Sequence, residues 1–135
     1  MGLKNTYATD KELESDGVWT PVEAGGRVKI RRLGAPEVEK VSRRLYKPYE
    51  NLTRRNKSLP EEIQKSIVVN LLTEAIVVDW DITEEEGPNA PKLPFTPEEV
   101  RRVFTEYEDF AVEVINLASS RELFKVDSDK DALKN

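Results

Sequence analysis

The sequence predicts an α+β fold, predominantly α-helical, with a small N-terminal β-hairpin packed on three to five helices. Two patterns carry that expectation. An alternating stretch folds back on itself around a glycine pair at residues 17–33, and apolar residues at helical spacing, with helix-start signals, run through most of the remaining chain. With 135 residues and 38% apolar content, one domain spanning 1–126 is expected. Residues 1–10 should be loosely held, and the polar tail 127–135 should be disordered.

The hairpin comes first. Gly17-Val18-Trp19-Thr20-Pro21-Val22-Glu23 is apolar and β-branched, and Ala24-Gly25-Gly26 is a turn signal. In the second arm Val28 and Ile30 share one face, while Arg27, Lys29 and Arg31 share the other. Pro21 cannot donate to a ladder, which places its strand at an edge. Gly34-Ala35-Pro36 then opens a helix with the stripe Val38, Val41 and Leu45, which Pro48 should end. Residues 51–58 read as a polar connection.

The longest helix is expected next. Ser58 and Glu61 stand at capping-box spacing, and Ile63, Ile67, Val68, Leu71, Leu72, Ala75 and Ile76 come after them at helical intervals. Val69, Val77, Val78 and Trp80 widen the stripe late, so the helix should extend about twenty residues, or roughly 30 Å. A helix apolar nearly all round is either central to the core or covered by a partner there. An acidic loop over 81–95 returns through Leu93 and Phe95. Thr96-Pro97-Glu98-Glu99 starts a further helical run to Ala118, either one helix or two with a bend near Asp109. Ser119-Ser120-Arg121-Glu122 offers a last N-cap.

Composition excludes much chemistry. With no cysteine and no histidine there are no disulfides, thiolate zinc sites, cysteine nucleophiles or imidazole bases. Six glycines in all leave no phosphate-cradling loop, so no enzyme activity and no cofactor are expected. Asp79, Asp81 and Glu84-Glu85-Glu86 form the one carboxylate cluster worth testing for metal. Trp80 and Ile82 interrupt it and Gly87 comes too late for an EF-hand, so no metal site is expected. No apolar run approaches membrane-spanning length, and the N-terminus carries no secretion signal.

Charge is segregated. Residues 27–57 hold eleven bases against three acids, a net of +8, and residues 79–113 hold eleven acids against three bases, a net of −8. Such a chain either neutralises itself across one fold or meets a charged partner, including another copy of itself. Tyr46 and Tyr49 lie among the bases, but the order of elements matches neither a helix-turn-helix nor an RNP pattern. With a pI of about 5.0, no nucleic-acid binding is expected. Trp19, Tyr46, Tyr49, Trp80, Phe95 and Phe104 are explained as core, and any that stands exposed marks an interface.

Taken together, several motifs resemble the tail assembly chaperones of long-tailed, non-contractile (lambda-like) bacteriophages. They are the opening Met-Gly-Leu-Lys-Asn-Thr-Tyr-Ala-Thr-Asp, Gly17-Val18-Trp19, Val77-Val78-Asp79-Trp80, Leu93-Pro94-Phe95-Thr96, and the run from Phe110 to Phe124 with Ala118-Ser119-Ser120. The resemblance implies a non-enzymatic protein of the host bacterial cytoplasm, absent from the mature virion. It would keep the tape measure protein soluble while tail tube subunits polymerise around it. It also implies a short form, with a longer form made by translational frameshift that recruits the tail tube protein. A homo-oligomer would raise avidity for so long a chain. The expected capture surface is Tyr46, Tyr49, Val69, Val77, Trp80 and Phe104. The alternative is a small structural tail component, a connector or tail-completion subunit.

Overall fold

The computed structural model describes residues 2–126 and has an α+β architecture. Its order is α1 (Leu3–Tyr7), α2 (Lys11–Asp16), β1 (Val18–Pro21), β2 (Arg27–Ile30), α3 (Pro36–Tyr46), α4 (Glu50–Arg54), α5 (Glu61–Leu71), β3 (Val77–Asp81), α6 (Pro97–Glu106) and α7 (Glu108–Ala118). Short 3-10 turns occupy Lys47–Tyr49 and Glu122–Phe124. The tail expected to be disordered, 127–135, lies outside the described residues.

The sheet is antiparallel in the order β1-β2-β3. Pro21 therefore sits on an edge strand, opposite Arg27. The turn at its end depends on Gly26, whose φ is +77°. A Cβ there would collide with the Asp81 carbonyl oxygen, so the third strand leaves no room for any side chain. Gly26→Ala is expected to cost more than about 1 kcal/mol, lowering Tm by roughly 3 °C or more. Thermal unfolding followed by circular dichroism reads this directly.

The structure corrects the expected long helix. The helix α5 stops at Leu71, Leu72–Ile76 widens into a single π-turn, and the chain leaves as β3. A bulge explains why the strand was disguised. Ile30 faces Val77 and Lys29 faces Asp79, so Val78 is the extra residue on β3. The bulge turns Val77 and Trp80, three positions apart, toward the same buried side as Ile30 and Val28, and a spacing of three mimics a helix. The π-turn is the hub of the molecule: α3, α5, α6, α7 and β3 all pack on it, and Leu72, Ala75 and Ile76 are buried there.

Other starts and stops differ in detail. Ser58 makes no cap; α5 begins after Pro60, whose position replaces the capping box. Thr96 does cap α6, its Oγ1 accepting from the Glu99 N–H at 3.2 Å. Of the two arrangements expected after Thr96, the structure has two helices, α6 and α7, with the bend at Tyr107 (φ −109°, ψ 78°), two residues before Asp109. The connection expected over 51–58 begins inside the single-turn helix α4, which ends at Arg54. Upstream, Asp10 caps α2 through Oδ1 and its own N–H donates to the Phe124 carbonyl at 2.7 Å.

Three bases of the positive segment hold the fold together. Arg31 donates from Nε to Ser15 O (2.6 Å) and from Nη1 to Ala75 O (2.9 Å), joining the end of α2 to the π-turn. Arg32 lies 3.6 Å from buried Glu14, which also accepts from Thr9 Oγ1 and pairs with Lys11. Burial alone would raise the Glu14 pKa, but these partners together hold it below the ordinary carboxylate value. Arg27 covers the Trp19 ring at 4.3 Å.

Candidate protein-binding grooves

Two open concavities flank the N-terminal half of α7, because α6 and α7 meet at a one-residue corner. Tyr107 at that corner donates its hydroxyl to Glu84 at 2.6 Å, tying the helices to the loop after β3. That hydrogen bond raises the Tyr107 pKa to about 12, and hydrogen bonds from Arg102 and then Tyr107 lower that of Glu84. Arg102 gathers Glu84, Glu99 and Glu106 around one guanidinium. Beneath the corner Phe104 stacks on Phe110 with centroids 5.1 Å apart.

The first concavity is a groove of about 690 Å³ running between α5 and α7 over α6. Its apolar lining is Val68, Val69, Phe104, Ala111, Val112 and Ile115. Val112 is 57% exposed, unusual for a valine inside an apolar run. The rim is polar and carries both signs of charge: Lys65 bridges to Glu108 at 3.1 Å, and Arg101 donates to Asn70 at 3.1 Å. An open apolar trough rimmed by Glu61, Glu62, Glu108, Lys65 and Arg101 suits the apolar face of an amphipathic helix.

The second concavity, of about 790 Å³, lies on the other side of the corner. Its floor is Val22, Ile82, Leu93, Val103 and Phe110. Around it stand Glu23, Glu84, Glu106, Glu108, Asp109 and Glu113, six carboxylates and no base among the lining residues. Glu113 accepts the Glu23 backbone N–H at 2.8 Å, which fixes the hairpin turn as one wall.

The expected capture residues do not form one surface. Val77, Trp80 and Phe104 are sealed in the core, at 4%, 0% and 0% exposure. This is a correction: the chain at Val77 and Trp80 is a bulged strand rather than the free end of a helix, and the sheet and helices close over it. Val69 lines the groove, and Phe104 forms its base from beneath. Tyr46, 41% exposed, and half-buried Tyr49 lie at the far end of α3, away from it. Phe95 is 38% exposed, with its ring edge-on to Trp80 at 5.4 Å. The sequence reading missed Val68, Ala111, Val112 and Ile115. The signal for the last three was the run Phe110-Ala111-Val112-Glu113-Val114-Ile115, which carries more apolar residues than one inward stripe needs.

Asp79 and Asp81 stand on β3, Glu84 is engaged by Arg102 and Tyr107, and no cluster of metal-binding side chains occurs among the described residues. Among those residues, no helix is long and apolar enough to cross a membrane.

Comparison with curated proteins and with solved structures finds no match to either. The model of the YdaY prophage protein family matches residues 33–135, from the start of α3 onward and so without the hairpin. With well over half its length matched, the chain belongs to the YdaY prophage protein family and is phage-derived.

Proposed function

We propose that the chain is a non-enzymatic tail assembly chaperone that binds the tape measure protein and keeps it soluble while the tail tube is built. The observation that carries this reading is the groove between α5 and α7, an open apolar trough on a molecule with 35% charged residues. The resemblance to lambda-like tail chaperones suggests the occupant, and the family match supports a phage origin. A tape measure protein is a long helical chain whose apolar stripe must be covered before assembly. One helical segment would lay its apolar face against Val69, Val112 and Ile115, with its flanks between Lys65, Glu108 and Arg101. Copies bound along the chain would be displaced as tube subunits close around it. The protein would act in the host cytoplasm and be absent from the finished particle. A frameshifted longer form would bring the tail tube protein.

Co-expression with the tape measure protein of the same phage tests this. The expected result is a soluble tape measure that co-purifies with this chain, and no trace of the chain in purified virions. A tape measure that precipitates equally with and without the chain contradicts the proposal. Recovery of the chain from virions at fixed copy number would assign it to the structural tail components.

A further inference from the structure

We propose that the carboxylate-rimmed cleft at the corner between α6 and α7 docks a basic amphipathic helix of another protein, with an apolar stripe and Lys or Arg at i and i+4 along one flank. The contact is independent of tape measure binding: the cleft shares only Glu108 with the lining of the groove between α5 and α7. Three features define the occupant. The first is the unequal use of the six carboxylates. Arg102 engages Glu84 and Glu106, and Lys65 engages Glu108. Among the described residues no base pairs with Glu23, Asp109 or Glu113, so the uncompensated charge gathers on one lip, where the hairpin turn meets α7. The Glu23 backbone N–H donates to Glu113 and keeps that turn beside the helix. Neighbouring carboxylates repel one another, and a cation seated among them relieves the repulsion as well as gaining its own attraction.

The second feature is spacing. Asp109 and Glu113 stand one turn apart on α7, with about 6 Å between their Cβ atoms. A partner helix laid along α7 presents bases at i and i+4 at the same interval. The third is the floor. Beside the charged lip lie Leu93 and Phe110, both half-buried, over the buried side chains of Val22, Ile82 and Val103. They leave an apolar seat in a cleft of about 790 Å³, room for several side chains. Acids alone would accept any cation, and an apolar floor alone any greasy segment. Side by side they select a segment that carries both. No residue lining the cleft is basic, so the partner must bring the cations. The rim of the groove between α5 and α7 carries both signs of charge, whereas this lip carries one, so the two surfaces take different partners.

The test uses the full chain and synthetic helical peptides, read by titration calorimetry at low salt, about 0.05 M. The probes are an amphipathic Leu/Lys helix, the same helix with Glu for Lys, and the same helix with Ala for Leu. The Leu/Lys peptide should bind, and each counterpart should bind about tenfold or more weakly. Glu23→Lys with Asp109→Lys should weaken the Leu/Lys peptide about tenfold or more. Glu12→Lys with Glu39→Lys makes the same change in net charge on α2 and α3, away from the cleft, and should alter binding by no more than about twofold. Val112→Asp, which blocks the other groove, should leave this peptide bound, so failure here and failure of tape measure capture are read separately. All five positions are exposed, and unchanged circular dichroism verifies folding. No binding of the Leu/Lys peptide, equal binding of either counterpart, or equal loss in both charge-reversed variants would overturn the proposal. So would self-association of the peptide-free chain that Glu23→Lys with Asp109→Lys abolishes, since the cleft would then belong to a second copy.

Discussion

Trp80→Ala is expected to destabilise the protein by about 4 kcal/mol, a large share of the roughly 5–15 kcal/mol available to a domain. The side chain is fully buried and central to the core. Removing it empties the space between the sheet and α6, where its ring meets Phe95 and, at 6.3 Å, Phe104. It also deprives the Leu93 carbonyl of the indole Nε1–H that now donates to it at 2.9 Å. That bond returns the long loop after β3 to the sheet, so the loss is both a cavity and an unpaired acceptor. Trp80→Phe keeps most of the volume, loses the donor and leaves a smaller cavity, and should cost about 1–3 kcal/mol. Denaturant unfolding separates the two: a midpoint for Trp80→Ala close to that of wild type would mean that β3 is not the centre of the core.

Trp80 also shows where sequence reasoning succeeds and where it stops. The hairpin was legible because Val28 and Ile30 alternate with Arg27, Lys29 and Arg31 around two glycines, a pattern no helix produces. The strand β3 was not, since its bulge places Val77 and Trp80 on one face at a helical interval, and the π-turn before it continues the helical stripe without a Gly or Pro to mark the change. The β-branched pair Val77-Val78 beside a tryptophan was the signal for a strand. Thr96 capped its helix as its spacing predicts, whereas Ser58 did not, because Pro60 holds the extended residue before α5.

The candidate site was legible only in part for a related reason. Large apolar side chains advertise burial and binding alike, and the largest of those expected to bind, Trp80 and Phe104, turned inward. Small ones at the surface, such as Val112, draw no attention until the neighbouring helix is in place. Tyr46 stood out for its charged surroundings, and the structure leaves its ring exposed at the end of α3, outside the groove.

Val112→Asp should sharply weaken capture of an apolar helix while leaving the fold intact. At 57% exposure Val112 contributes little to stability, so the change should alter it by no more than about 0.5 kcal/mol. In a filled groove, by contrast, a carboxylate would be pressed among Val69, Ala111 and Ile115 without a partner. That costs at least about 2 kcal/mol, or about a 30-fold loss of affinity. Val126→Asp places the same charge at an exposed valine that lines neither concavity, and so serves as the control.

The deciding measurement is therefore the fraction of tape measure protein kept in solution by wild type, Val112→Asp and Val126→Asp at equal expression. Wild type and Val126→Asp should hold it soluble, and Val112→Asp, folded and equally abundant, should let it precipitate. Equal protection by all three would show that the groove between α5 and α7 is not the surface that takes the helix.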